Sequence, residues 1–207
     1  MTKSEVRRDA ILRTATEVFH EAGFDRASMS DICTRVGYSK ATVYAYFKSK
    51  EELLMAIALE AAEAEFEAVR LALADAPPGL QAALEHVGRR YLAFACAPAT
   101  LGARRLMLAE AGRAGLGQQC YERGPARVLA ALAALLHSAM DDGVLREAGS
   151  ELAARQLTSL FDAEWGERLL FQAVDEPEPD QLDAAAARAV AVFMAAYGTD
   201  KAVAGAS

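Results

Sequence analysis

Cysteine is scarce in this chain. Cys33, Cys96 and Cys120 are the only three among 207 residues. They show no CxxC or finger spacing, which excludes a disulfide framework and a zinc finger and leaves three reduced thiols. Cys33 falls on the apolar side of a short helical pattern and reads as core. No uninterrupted apolar run approaches the roughly 20 residues needed to cross a bilayer. The first residues, MTKSEVRRDAILRTATEVF, are basic but carry no apolar h-region and no cleavage site. The expectation is a cytoplasmic protein with no membrane partner. No stretch alternates as a strand does, and there is no internal repeat. Histidine is limited to His20, His86 and His137. There is no HExxH, no GxSxG and no phosphate-binding loop, so no enzyme and no cofactor or metal are expected.

What is present is a soluble, core-forming composition: 53% hydrophobic and 25% charged residues. The net charge of −7 taken alone disfavours nucleic acid. Its distribution reverses that reading. Residues 1–50 hold 9 Lys/Arg against 6 Asp/Glu, whereas residues 51–207 hold 13 against 23. A basic head on an acidic body suits a protein that touches phosphate with one end only.

The segment 28–54, SMSDICTRVGYSKATVYAYFKSKEELL, carries the most information. Ser28 can cap a helix with Asp31 as its reciprocal partner. Gly37 ends that helix, because a left-handed residue is cheapest without a Cβ. Ser39 can cap a second helix over 40–46. Ser49 and Glu52 read as another capping box at the start of a third. Two helices across a short Gly-containing turn form a helix-turn-helix, whose second helix can enter the major groove. The N-terminal end of that helix places Lys40, Ala41 and Thr42 as candidate base contacts. Lys40 can donate to guanine O6 or N7, and Ala41 and the Thr42 methyl can meet a thymine methyl. Ser28, Thr34, Tyr38 and Ser39 are candidate phosphate contacts.

This run resembles the DNA-binding domain of the TetR family of bacterial transcriptional regulators. The matching residues are Asp31-Ile32, Val36-Gly37, Ser39-Lys40, Thr42-Val43-Tyr44, Tyr46-Phe47 and Ser49-Lys50-Glu51-Glu52-Leu53. The resemblance is sharp over the first 60 residues or so and architectural beyond them. It implies that Tyr44, Tyr46 and Lys50 contact phosphates. It implies an all-α fold of about nine helices, with a helix-turn-helix domain at 1–49 and an effector-binding and dimerisation domain at 50–207. A helix over 50–74 would link the two as a rigid lever.

Helical periodicity and breakers place the other helices near 4–22, 80–97, 100–112, 125–142, 150–173 and 181–197, with an irregular stretch at 113–124 that has room for one short helix. The tail from Gly198 reads as frayed. The family uses its last two long helices as a dimer surface. Here they offer Leu157, Leu160, Trp165, Leu182, Ala186, Ala189, Phe193 and Tyr197. An effector pocket is expected from Phe66, His86, Tyr91, Phe94, Met107 and Phe161, with Arg104 as polar anchor. These residue types fit a mostly apolar small molecule. The expected function is a homodimeric repressor that binds a pseudopalindromic double-stranded operator and is released by that effector. The same head serves an activator or a constitutive binder equally well.

Overall fold

The computed structural model describes residues 2–113 and 115–200. It holds the helices α1 (Lys3–Ala22), α2 (Met29–Val36), α3 (Lys40–Tyr46), α4 (Lys50–Ala74), α5 (Leu80–Ala95), α6 (Pro98–Glu110), α7 (Leu116–Arg123), α8 (Pro125–Asp141), α9 (Ser150–Asp162), α10 (Gly166–Leu170) and α11 (Pro179–Tyr197). Among the described residues the only extended pairing is a single bridge between Leu145 and Gly198. The fold is all-α, as expected. No helix among the described residues is long and apolar enough to cross a membrane.

The chain divides into two compact units. One comprises Met1–Ala61 and Gly102–Cys120, the other Ala62–Leu101 and Tyr121–Ser207. The sequence-based division after residue 49 follows the motif, whereas these units part within α4. The segment after Gly102 joins the first unit for a reason visible in its side chains. Arg113 pairs with Asp25 at 2.7 Å and lies 4.9 Å from the centroid of the Phe24 ring. No local signal relates residues 88 positions apart.

In the first unit, Ile11, Leu12, Ala15, Val18 and Phe19 of α1 are buried, together with Ile32, Cys33, Val43, Phe47, Leu53 and Leu54. Phe24 folds back on Phe19, with ring centroids 5.3 Å apart. Cys33 is core, as its place on the apolar face suggested.

In the second unit, the core is built by α5, α8, α9 and α11 around the fully buried Leu84, Leu92, Leu132, Leu136, Phe161 and Phe193. Gly88 lets α5 come close to α9 and α11. A Cβ there would stand 2.5 Å from the Phe161 ring and 3.2 Å from Ala186 Cβ. The end of α11 is fastened by Arg146 N–H to the Tyr197 carbonyl at 2.8 Å and by Thr199 N–H to the Val144 carbonyl at 3.1 Å. So residues 198–199 are hydrogen-bonded rather than frayed, and 201–207 lie outside the described residues.

The helix expected over 150–173 is two segments, α9 and α10. Tertiary bonds override its periodicity. Glu164, in the break, accepts a bidentate pair from Arg188 of α11 at 2.7 and 2.8 Å. Asp162, at the end of α9, accepts from the Tyr91 hydroxyl at 3.1 and 3.2 Å. The stretch 113–124 contains one short helix, α7.

Candidate nucleic-acid interface

The interface rests on how α2 and α3 are terminated. Ser28 Oγ accepts from Asp31 N–H at 3.2 Å, and Asp31 accepts from Ser28 N–H at 3.1 Å. Both arms of the capping box are present, satisfying two N-terminal donors. Gly37 has φ +75° and ψ 17°, and its N–H donates to the Cys33 carbonyl. The chain therefore turns after α2 and restarts at Ser39, whose Oγ accepts from Thr42 N–H at 3.1 Å. Val43 is fully buried beneath the short α3, and Phe47 is buried just past its end. This fixes the rotation of α3 and leaves Lys40 and Ala41 exposed and Thr42 half-buried at its N-terminal end. The Thr42 hydroxyl lies 2.9 Å from Ser39 Oγ.

The other candidates sort by what already holds them. Tyr44 is 42% exposed, with nothing of the core above it. The Tyr46 hydroxyl shares a 3.0 Å hydrogen bond with Ser4 Oγ, which ties the end of α3 to α1. Thr34 Oγ1 donates back to the Ser30 carbonyl at 2.9 Å, and Tyr38 is half-buried. Ser28 and Ser39 are caps first.

Lys50 departs from its expected role. Its Nζ donates to the carbonyls of Phe24, Asp25 and Ala27 at 2.8, 3.0 and 3.2 Å, and lies 4.6 Å from the centroid of the Phe24 ring. An ammonium has three N–H groups, and these carbonyls use all three. Lys50 is a structural cap for the loop between α1 and α2, not a phosphate ligand. The box expected at Ser49 and Glu52 is also altered. Ser49 Oγ accepts from Glu52 N–H at 3.2 Å, but the Glu52 carboxylate takes the Lys48 N–H at 2.6 Å.

Ion pairs hold the periphery of this unit. Arg8 pairs with Glu60 and lies over the Phe47 ring at 5.5 Å. Arg35 pairs with Glu21 at 2.7 Å, and its hydrogen bond holds the Glu21 carboxyl below the usual carboxylate range. Glu51, in the first turn of α4, is lowered by its own backbone N–H and then by the Ser49 hydroxyl. Sequence reasoning missed Ser4, Arg8 and Arg113, whose partners lie far along the chain.

The expected effector residues are only partly gathered. Tyr91 and Phe161 meet in the second unit, centroids 5.9 Å apart, and both are buried core. Phe66 is covered by the Arg127 guanidinium, 3.8 Å from its ring centroid. His86 pairs with Asp75 at 3.0 Å, and Phe94 is half-buried on α5. Arg104 and Met107 belong to the first unit, not the second.

The expected dimer residues need a larger correction. Leu157, Leu182, Ala186, Ala189, Phe193 and Tyr197 are at most 8% exposed within the protomer. They pack its own core and offer almost nothing to a partner. Leu160 and Trp165 are half-buried. The exposed apolar side chains on the same helices are Leu152, at 59%, and Val192, at 55%. With Leu160, Arg155, Ser159 and Ala196 they line a shallow groove of about 530 Å³ along α9 and α11.

Comparison with known proteins agrees with this architecture. The model of the tetR family of bacterial regulatory proteins matches residues 11–57, and that of the AefR-like transcriptional repressor C-terminal domain matches residues 82–199. The regulator UidR of Escherichia coli (strain K12) is 44% identical over 59 residues, which is 28% of this chain and 30% of that protein. The match thus spans under a third of this relative's length. A structure described as a TetR-family transcriptional regulator from Mesorhizobium loti MAFF303099 superposes with a TM-score of 0.82. It is 28% identical, with 96% of this chain and 100% of that chain covered. The flavonoid-responsive regulator FrrA is 30% identical over 94% of this chain and 98% of its own, with a TM-score of 0.69. Matched at both ends and aligned with FrrA over nearly its full length, the chain belongs to the TetR family of bacterial regulatory proteins.

Proposed function

We propose that this protein is a homodimeric, cytoplasmic transcriptional repressor, not an enzyme, that binds a pseudopalindromic operator and is released by a small, mostly apolar effector. The observation that carries this reading is the exposed N-terminal turn of α3. Lys40, Ala41 and Thr42 stand outward on a helix whose start is capped by Ser39 and whose rotation is set by buried Val43. Such a turn reads base edges in the major groove. Ser28, Thr34, Tyr38, Ser39, Tyr44 and Tyr46 surround it as phosphate contacts, each keeping its structural bond while its remaining donor capacity meets an oxygen.

Seven residues of recognition helix make few base contacts, so one head alone binds weakly. Two heads on a two-fold axis, about 34 Å apart, read two half-sites one DNA turn apart. The exposed Leu152 and Val192 supply a self-complementary apolar seam on α9 and α11 for that axis. Repression is favoured by the AefR-like repressor model over residues 82–199, and an aromatic effector by the flavonoid-responsive FrrA. Release requires an effector that binds better to a conformation with wrongly spaced heads, since only differential affinity shifts the equilibrium. Helix α4, 25 residues without a break, is the element that would carry the shift.

Selection of bound fragments from sheared genomic DNA tests this directly. The expected product is a shared pseudopalindrome with half-sites one turn apart. Enrichment of single half-sites, or of no common sequence, would overturn the dimeric reader.

A further inference from the structure

The first unit contains a cleft of about 500 Å³ between the C-terminal half of α1, the loop at 23–26 and α6. That volume lies in the range of small-molecule sites, about 300–1,000 Å³. None of the residues expected to line an effector pocket lines this cleft. Its apolar surface comes from Phe19, Phe24, Leu106 and Ala109, and its cations are His20, Arg26 and Arg105. Asp25 and Glu110 also line it, but both carboxylates are ion-paired to Arg113. Three guanidiniums therefore face two carboxylates that Arg113 already neutralises in part, with His20 beside them. An anionic group is the one such a cleft attracts, and the apolar wall accepts a short hydrocarbon body.

The geometry points to a second ligand site in the DNA-binding unit, specific for a small amphipathic carboxylate. Its carboxylate meets Arg26 and Arg105, and its apolar part lies along Leu106 and Ala109. The loop at 23–26 that forms part of the wall also supplies the Phe24 and Asp25 carbonyls that hold Lys50 in the first turn of α4. A ligand lodged against this loop therefore bears on the junction between the motif and α4, which makes the site regulatory. Only that regulatory consequence rests on the proposed function; the binding itself does not.

The three histidines make binding readable without DNA, because His20 alone lines the cleft while His86 and His137 belong to the second unit. Octanoate serves as the anionic probe and 1-octanol as its uncharged control, with imidazole resonances followed at constant pH. The expected result is a saturable shift of His20 by octanoate and at least tenfold weaker binding of octanol. Ala109→Trp fills the cleft and removes the shift. Arg26→Glu, an exposed substitution, weakens octanoate tenfold without affecting octanol, and serves alone if Ala109→Trp fails to fold. No saturable shift at His20, a shift confined to His86 or His137, or equal affinity for octanol would overturn the site. A gel shift with octanoate then reads regulation separately. Binding at His20 with unchanged operator affinity removes the regulatory role, whereas absence of any specific DNA complex counts against the proposed function and not against the cleft.

Discussion

Gly37 in the helix-turn-helix unit and Gly88 in the core of the second unit both resist a side chain, for opposite reasons. Gly37 has φ +75° and nothing within 4 Å of where a Cβ would stand. Gly88 has an ordinary helical backbone, but its Cβ would meet the Phe161 ring at 2.5 Å. The head is specified by local backbone chemistry: a left-handed turn, three caps and a short amphipathic helix. The body is specified by what distant helices press against one another. That difference sets how each region should fail, and where a mutation should be felt.

The largest effect is expected at the proposed dimer seam. Leu152→Asp with Val192→Asp should leave each protomer folded, within about 0.5 kcal/mol for exposed sites. Operator affinity should fall on the order of a thousandfold, toward the non-specific level. Light scattering and a DNA titration check the two halves of this statement. A monomer that kept specific binding would break the assignment of the seam to the body.

The glycines come next. Gly88→Ala should cost about 1–3 kcal/mol in denaturant unfolding, as overpacking does. Gly37→Ala should cost about 1 kcal/mol, from the strain of φ alone. A reversed order would sink the contrast between space and conformation.

The two lysines sharpen the comparison inside the head. Lys40→Ala should lower affinity for the correct site by about 1–3 kcal/mol and leave stability unchanged. Lys50→Ala should do the converse. It removes a charged donor from three carbonyls and should destabilise the first unit by about 1–3 kcal/mol. A Lys50→Ala protein of wild-type stability whose salt slope fell by about one would restore the phosphate role.

The smallest effect is one of pH. Glu21 in the head and Glu164 in the body are both held low by an arginine hydrogen bond, Arg35 and Arg188 respectively. A lowered carboxylate contributes stability that is present above its unfolded pKa, about 4.3, and lost as pH falls through its folded value. Arg35→Met should therefore narrow the stability gap to wild type as pH falls below about 4, with no change between pH 6 and 8. Thermal melts across that range read the gap.

The same contrast explains what was legible in the sequence. Ser28, Asp31, Gly37 and Ser39 act within four residues of themselves, so their spacing announced both helices and the turn. The ends of α4 were readable because Pro77, Pro78 and Gly79 follow it closely. Lys50 was misassigned because its carbonyl partners lie 23 to 26 residues upstream. The break after α9 was missed because Arg188, 24 positions away, captures Glu164. Helical periodicity marked Leu157, Ala186 and Phe193 as apolar, but it cannot say whether the helix facing them belongs to the same protomer. Here α5 and α9 fill that role within the protomer.

The most direct test is a fluorescence-anisotropy titration of DNA flanking this protein's own coding sequence, against scrambled competitor at two salt concentrations, with wild type and Lys40→Ala side by side. The account predicts a saturable complex of two protomers per site. Its preference over scrambled DNA should persist at the higher salt and drop by about 1–3 kcal/mol in Lys40→Ala. Equal discrimination by wild type and Lys40→Ala on a site the wild type prefers would contradict the claim that the exposed turn of α3 reads the bases.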